Sequence, residues 1–82
     1  MSDVGEALRA AVAEHGAPLS IRTGIATIQR DGVALHVVSS VIVLTDGWEM
    51  MLSWREFLDP VDAAICARTR SKQIRKLLRP KN

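Results

Sequence analysis

Five cations recur near the end of this 82-residue chain: Arg68, Lys72, Arg75, Lys76 and Arg79. Their spacing of mostly three or four residues puts them on one side of a helix. From first to last they cover about 16 Å at about 1.5 Å per residue, enough to meet several phosphates or an acidic patch on a protein. A solvated face is the third reading, because cations near a helix C-terminus also suit the macrodipole. No aromatic residue lies among them to stack a base.

The other chemistry-bearing residues do not assemble into a site. His36, Ser39 or Ser40 and one of several aspartates supply the types of a hydrolytic triad, but on one strand face His36 and Ser40 stand about 13 Å apart and cannot share a proton. A metal would need His15, His36 and Cys66, which include no close pair of ligands. His15, at the end of a helix, is accounted for by the dipole. Cys66, among small apolar neighbours, reads as a packed thiol. Gly24, Gly32 and Gly47 are isolated, so no phosphate-cradling loop is present. The expectation is a chain that is not an enzyme and carries no metal or cofactor.

Charge is unevenly divided. Residues 1–62 hold all nine acidic groups and four arginines, a balance of −5, whereas residues 63–82 hold seven basic groups and no acid, a balance of +7. An acidic body with a basic end points to a nucleic-acid or protein contact. Hydrophobic residues make up 48% of the chain, and a chain of this size buries only about 60–65% of its unfolded surface, so each apolar face matters to stability. The longest apolar stretch, VALHVVSSVIVL, is broken by His36, Ser39 and Ser40 and is too short to span a bilayer. No charged segment followed by an apolar one opens the chain, so no secretory signal is expected. A single cysteine fits a reducing, cytoplasmic setting.

These residues must be positioned by five elements. SDVGEALRAAVAEHGAP predicts a helix over about 3–15, with Asp3 as cap, Glu6 three residues on, and Gly16 and Pro18 as the stop. From Leu19 the apolar period becomes two. Strands are predicted over about 19–29, 33–44 and 48–53, joined at RDG and TDG by Asp-Gly hairpin signals. A short turn over 54–58 is expected next, with Ser53 and Glu56 as a capping pair. A helix over about 60–78 follows, started by Asp59 and Pro60. Its apolar stripe is Ala63, Ala67, Ile74, Leu77 and Leu78, and Val61 and Ile65 suggest that its first half is buried nearly all round. The predicted fold is α+β, a single domain of order α-β-β-β-α with a three-stranded antiparallel meander.

If both turns are two-residue loops, Ile28 opposes Leu35, Ala26 opposes Val37, Val43 opposes Met50 and Val41 opposes Leu52. One sheet face then carries these residues with Trp48 and Trp54. The other carries Leu19, Ile21, Ile25, Val38, Ile42, Leu44 and Met51, with Thr23, Thr27, His36 and Ser40 interleaved. Both are largely apolar, although an antiparallel sheet with one wet face should alternate cleanly. Three explanations stay open: a twist or bulge near Gly24 or Ser39 and Ser40, helices on opposite faces, or a face left for a second copy or a target. On this reading the tryptophan face is core, and Ile21, Ile25, Ile42 and Met51 are the candidate sheet interface.

The helix, meander and helix plan, the small size and the missing catalytic groups resemble the broad class of small phage-encoded inhibitors of the anti-CRISPR type. In addition, ATIQRDG is similar to the hairpin of small phage head-tail joining proteins, from which the third strand departs. Either resemblance implies action by binding. The expected function is therefore a non-enzymatic inhibitor or regulator that docks on a macromolecular complex, possible partners being a protein complex that handles nucleic acid or a second copy. A nucleic-acid-binding accessory protein is the alternative, and a phage structural or joining component the third reading.

Overall fold

The computed structural model describes residues 3–79 and contains the five expected elements in the expected order. They are α1 (Asp3–His15), β1 (Pro18–Arg30), β2 (Val33–Leu44), β3 (Glu49–Phe57) and α2 (Pro60–Leu77). The strands form one antiparallel sheet in the order β1-β2-β3. The fold is thus the α+β meander between two helices that the periodicities predict. The side chain of Asp3, and with it the expected first cap, lies outside the described residues.

The two Asp-Gly turns fold differently. At the first, Asp31 and Gly32 both have positive φ, 53° and 77°, and Arg30 pairs with Val33. This is the two-residue loop whose twist matches the strands. It produces the expected pairs Ile28 with Leu35 and Ala26 with Val37. At the second turn only Gly47 has positive φ, 91°. The Leu44 amide donates to the Trp48 carbonyl and the Gly47 amide to the Leu44 carbonyl, each at 2.9 Å, enclosing a loop of three residues, Thr45, Asp46 and Gly47.

That extra residue corrects the expected register. Val43 pairs with Glu49 and Val41 with Met51, while Met50 and Leu52 oppose Ile42 and Ser40. A one-residue slip moves every side chain of a strand to the other face. Met50, Leu52 and Trp54 consequently join Ile21, Val38, Ile42 and Leu44, and Met51 leaves them. The turn expected over 54–58 is also absent, because β3 continues to Phe57. It does so through an irregularity at which Ser39 pairs with Ser53 but Val38 with Arg55, leaving Trp54 as the extra residue.

Both helices lie on the face that received Trp54. Leu8 and Ala11 of α1, Ile42 and Leu44 of β2 and Ile74 of α2 form the buried cluster, against which Met50, Leu52, Trp54, Leu77 and Leu78 pack. Leu8, Ile42, Leu44 and Ile74 are at most 1% exposed, and each contributes about 1.5–3 kcal/mol by burial. Gly5 is buried where α1 approaches Leu77. The helices do not sit on opposite faces: the other sheet face has no helix over it, and the irregularity opposite Ser39 lies where the first of the three explanations puts a bulge.

One polar residue sits inside this core. Ser40, 0% exposed, has its hydroxyl 2.7 Å from that of Thr23 on β1 and accepts from the Trp54 indole N–H of β3 at 2.7 Å. Arg70 of α2 closes the stack, its guanidinium 4.6 Å from the Trp54 ring centroid. The contact crosses all three strands and reaches the covering helix. Replacing Ser40 by Ala strands the half-buried indole N–H, at a cost of about 1–3 kcal/mol. Trp54→Phe removes the donor together with the need for an acceptor and should cost less. Thermal unfolding of both variants checks this ordering, with Ser40→Ala lowering Tm by on the order of 10 °C in a domain of this size.

Candidate binding surface on helix α2

Helix α2 begins where the sequence places it. The Asp59 carboxylate accepts from the Val61 amide at 2.8 Å, and Pro60 fills the first helical position, where no N–H is needed. Ala63 and Ile74 are fully buried, and Ala67, Leu77 and Leu78 are half-buried, as the apolar stripe predicts. Arg68, Lys72, Arg75, Lys76 and Arg79 are all exposed on the opposite side.

None of the five makes an ion pair among the described residues, where the pairs are His15 with Glu14 and Asp46, and Arg30 with Glu56. Arg75 alone is tethered, donating to the Ile21 carbonyl at 3.3 Å. Arg70 lies on the other side of the helix, over Trp54, and donates to Gln73 at 2.8 Å. The expected burial of the helix start is corrected: Val61 is 62% and Ile65 58% exposed. They lie on the same stripe as the cations, so the outer face of α2 is apolar for its first turns and basic for the rest. From Val61 to Arg79 it runs about 27 Å.

The four residues proposed for a sheet interface do not form one surface. Ile42 is fully buried under the helices and Ile21 packs on the core. Ile25, 44% exposed, shares their face, while Met51, 70% exposed, points the opposite way. The three-residue loop is the cause. Cys66 is half-buried in a groove between α2 and β3 with Phe57 and Ile65, where the Arg55 guanidinium lies 4.9 Å from the Phe57 ring centroid. His36 and Ser40 are engaged separately, His36 with Thr27 at 3.0 Å. No group of three or more His, Cys, Asp or Glu that could hold a metal lies together among the described residues.

His15 closes the last turn of α1 as expected, but its wider role was missed in the sequence. Beyond its helix end it meets Asp46 of the second turn, Nδ1 to Oδ2 at 2.7 Å, and its ring stacks on Trp48 with centroids 4.4 Å apart and planes 1° apart. The Asp46 amide donates to the His15 carbonyl at 3.2 Å and the Trp48 amide to Asp46 Oδ1 at 2.9 Å. Thr45 donates to the Ala17 carbonyl, at 2.6 Å. Gly16, at φ 95°, passes so close that a Cβ there would stand 2.7 Å from that of Thr45. These contacts join α1 to the β2–β3 turn. No pairing signal in the sequence links positions 31 residues apart.

No family model, no curated protein and no solved structure matches the chain. No helix among the described residues is long and apolar enough to cross a membrane.

The His15 hydrogen bond first, and the Trp48 amide second, hold the Asp46 carboxyl below its ordinary value of 3.8. A depressed carboxyl stabilises the fold fully above its unfolded value and loses that contribution as pH falls through the folded one. The clasp should therefore be complete above about pH 4 and open progressively below it. In a Trp54→Phe background, Trp48 fluorescence should report an acid-side transition that Asp46→Asn abolishes.

Proposed function

We propose that this protein acts by binding, as a small inhibitor or regulator of the anti-CRISPR type that docks the outer face of α2 on an acidic surface of a macromolecular complex. The observation that carries this reading is the stripe of five cations without ion partners among the described residues, continued at its start by exposed Val61 and Ile65. Apart from Arg75, which donates to the Ile21 carbonyl, these cations make no bond to the rest of the described chain and are free to meet a partner. An apolar head followed by a basic row suits a protein that offers apolar side chains beside carboxylates, because desolvated apolar anchors supply binding energy and the charges supply steering and register. A phosphate backbone has nothing for Val61 and Ile65 to touch.

The nucleic-acid reading rests on the same cations. It is the weaker one because the rings are engaged: Trp54 under Arg70, Phe57 under Arg55 and Trp48 against His15. Binding would have to rely on phosphate contacts alone. A phage structural or joining role draws only on the outline and on ATIQRDG. A reducing, cytoplasmic setting is part of the same proposal and follows from the lone cysteine.

Charge reversal at Arg68 and Lys72 separates the readings, since neither side chain packs in the core and neither bonds to the sheet. The double Arg68→Glu, Lys72→Glu variant should keep its thermal stability, and it should lose capture of the acidic partner that the native chain retrieves from host extract. Titration with duplex DNA should show no binding even at low salt. Binding with a slope of about 0.9 in log K per log salt for each phosphate neutralised would establish the nucleic-acid role instead.

A further inference from the structure

The sheet face turned away from the helices carries a second surface, independent of α2. By the register of the pairs, β2 runs Leu35, Val37, Val41 and Val43 along its middle, all half-buried by their neighbours alone. Ala26 and Ile28 flank them on β1 and Met51 on β3, and Ile28 and Met51 are exposed. So much apolar side chain on one face is a mark of an interaction site.

The charges on this face are sorted by strand. Arg22 and Arg30 lie on β1, and Glu49 and Glu56 on β3. Arg30 and Glu56 satisfy each other across β2 through two hydrogen bonds of 3.0 and 3.1 Å. Arg22 and Glu49 make no ion pair among the described residues. They stand on opposite flanks, about two strand spacings or 10 Å apart.

We propose that this face packs against the same face of a second copy of the chain, about a two-fold axis parallel to β2. Such an axis sets each β1 over the partner's β3, the aligned arrangement of packed sheets. Each Arg22 then stands over Met51 of the other copy, one side-chain row from Glu49, or about 7 Å along the strand and within reach of a guanidinium. Both unsatisfied charges gain opposite partners, twice by symmetry. An in-plane axis perpendicular to the strands would set β1 over β1 and β3 over β3, bringing like charges together. The charge pattern thus selects both the occupant and the orientation. Three strands about 5 Å apart and some five rows long present about 500 Å² on each copy, near the lower limit for a specific interface, so a reversible dimer with a micromolar dissociation constant is expected.

Sedimentation equilibrium of the full chain over a micromolar to millimolar range tests the proposal. The mass should rise with concentration from 9.0 kDa toward twice that value. Arg22→Glu and Glu49→Arg should each weaken the dimer at least about tenfold, and the double exchange should restore it to within a few-fold of the native chain. Met51→Lys and Gly24→Lys should abolish it with the fold intact by circular dichroism, because Met51 is 70% exposed and a Cβ at Gly24 meets nothing within 4 Å. A chain that stays monomeric throughout overturns the proposal. A dimer indifferent to Glu49→Arg and Met51→Lys overturns it too, and would place self-association on another surface, such as the free edge of β1.

Discussion

The contact on which the rest of the molecule depends is the grip of Asp46 on the end of α1. Its carboxylate holds the His15 ring with one oxygen and the Trp48 amide with the other, while its amide donates to the His15 carbonyl. Held in this way, Asp46 keeps an ordinary φ, and the one positive φ that the loop needs falls on Gly47. Asp31 has no contact of this kind and takes positive φ beside Gly32 in the tighter two-residue turn. The difference between the loops is one residue. Its consequence is the orientation of a whole strand, because side chains alternate at a period of two.

With β3 set in this register, its apolar stripe joins that of β2 beneath the helices, and the sheet becomes asymmetric. Trp54 brings an indole N–H into an apolar layer, where an unmade hydrogen bond is costly. Ser40 is the acceptor that meets it, and Thr23 completes the hydroxyl pair from the other side. A polar bolt of this kind specifies register as well as stability, since a slip of β3 would take the Trp54 indole N–H away from its acceptor. The same asymmetry leaves the opposite face uncovered and puts the basic row outside, so the two candidate binding surfaces lie back to back across the domain.

Helix α2 shows how folding and binding are divided within one element. Its start is defined locally by Asp59 and Pro60, and its attachment by Ala63, Ile74 and the half-buried residues around them. The cations on the outer stripe take no part in either task, apart from Arg75, which touches the Ile21 carbonyl. Arg70, on the opposite side of the helix from that stripe, is drawn into the structure by Trp54. In a chain with so little core, side chains that could be changed without loss of stability are the ones available for recognition.

The sequence by itself determined the elements and their order. Period-two and period-3.6 patterns, Asp-Gly signals and the Asp59-Pro60 start are local, and local physics sets them; this is why β1, β2, α2 and its apolar stripe appear within a residue or two of where the pattern puts them, whereas β3 runs four residues past its expected end to Phe57. The first hairpin was legible for the same reason, since Asp31 and Gly32 need nothing beyond themselves to form their turn. What only the tertiary structure decided was the length of the second loop, the facing of β3 and the placing of both helices on one side. Each hangs on contacts between residues far apart in the chain, His15 with Asp46 and Ser40 with Trp54, for which a linear pattern carries no sign. The candidate sites divide along the same line. The basic row could be read directly because helical spacing defines it. The open sheet face could not, because its membership turns on a single loop residue, and Met50 and Met51 exchange faces when that residue is counted.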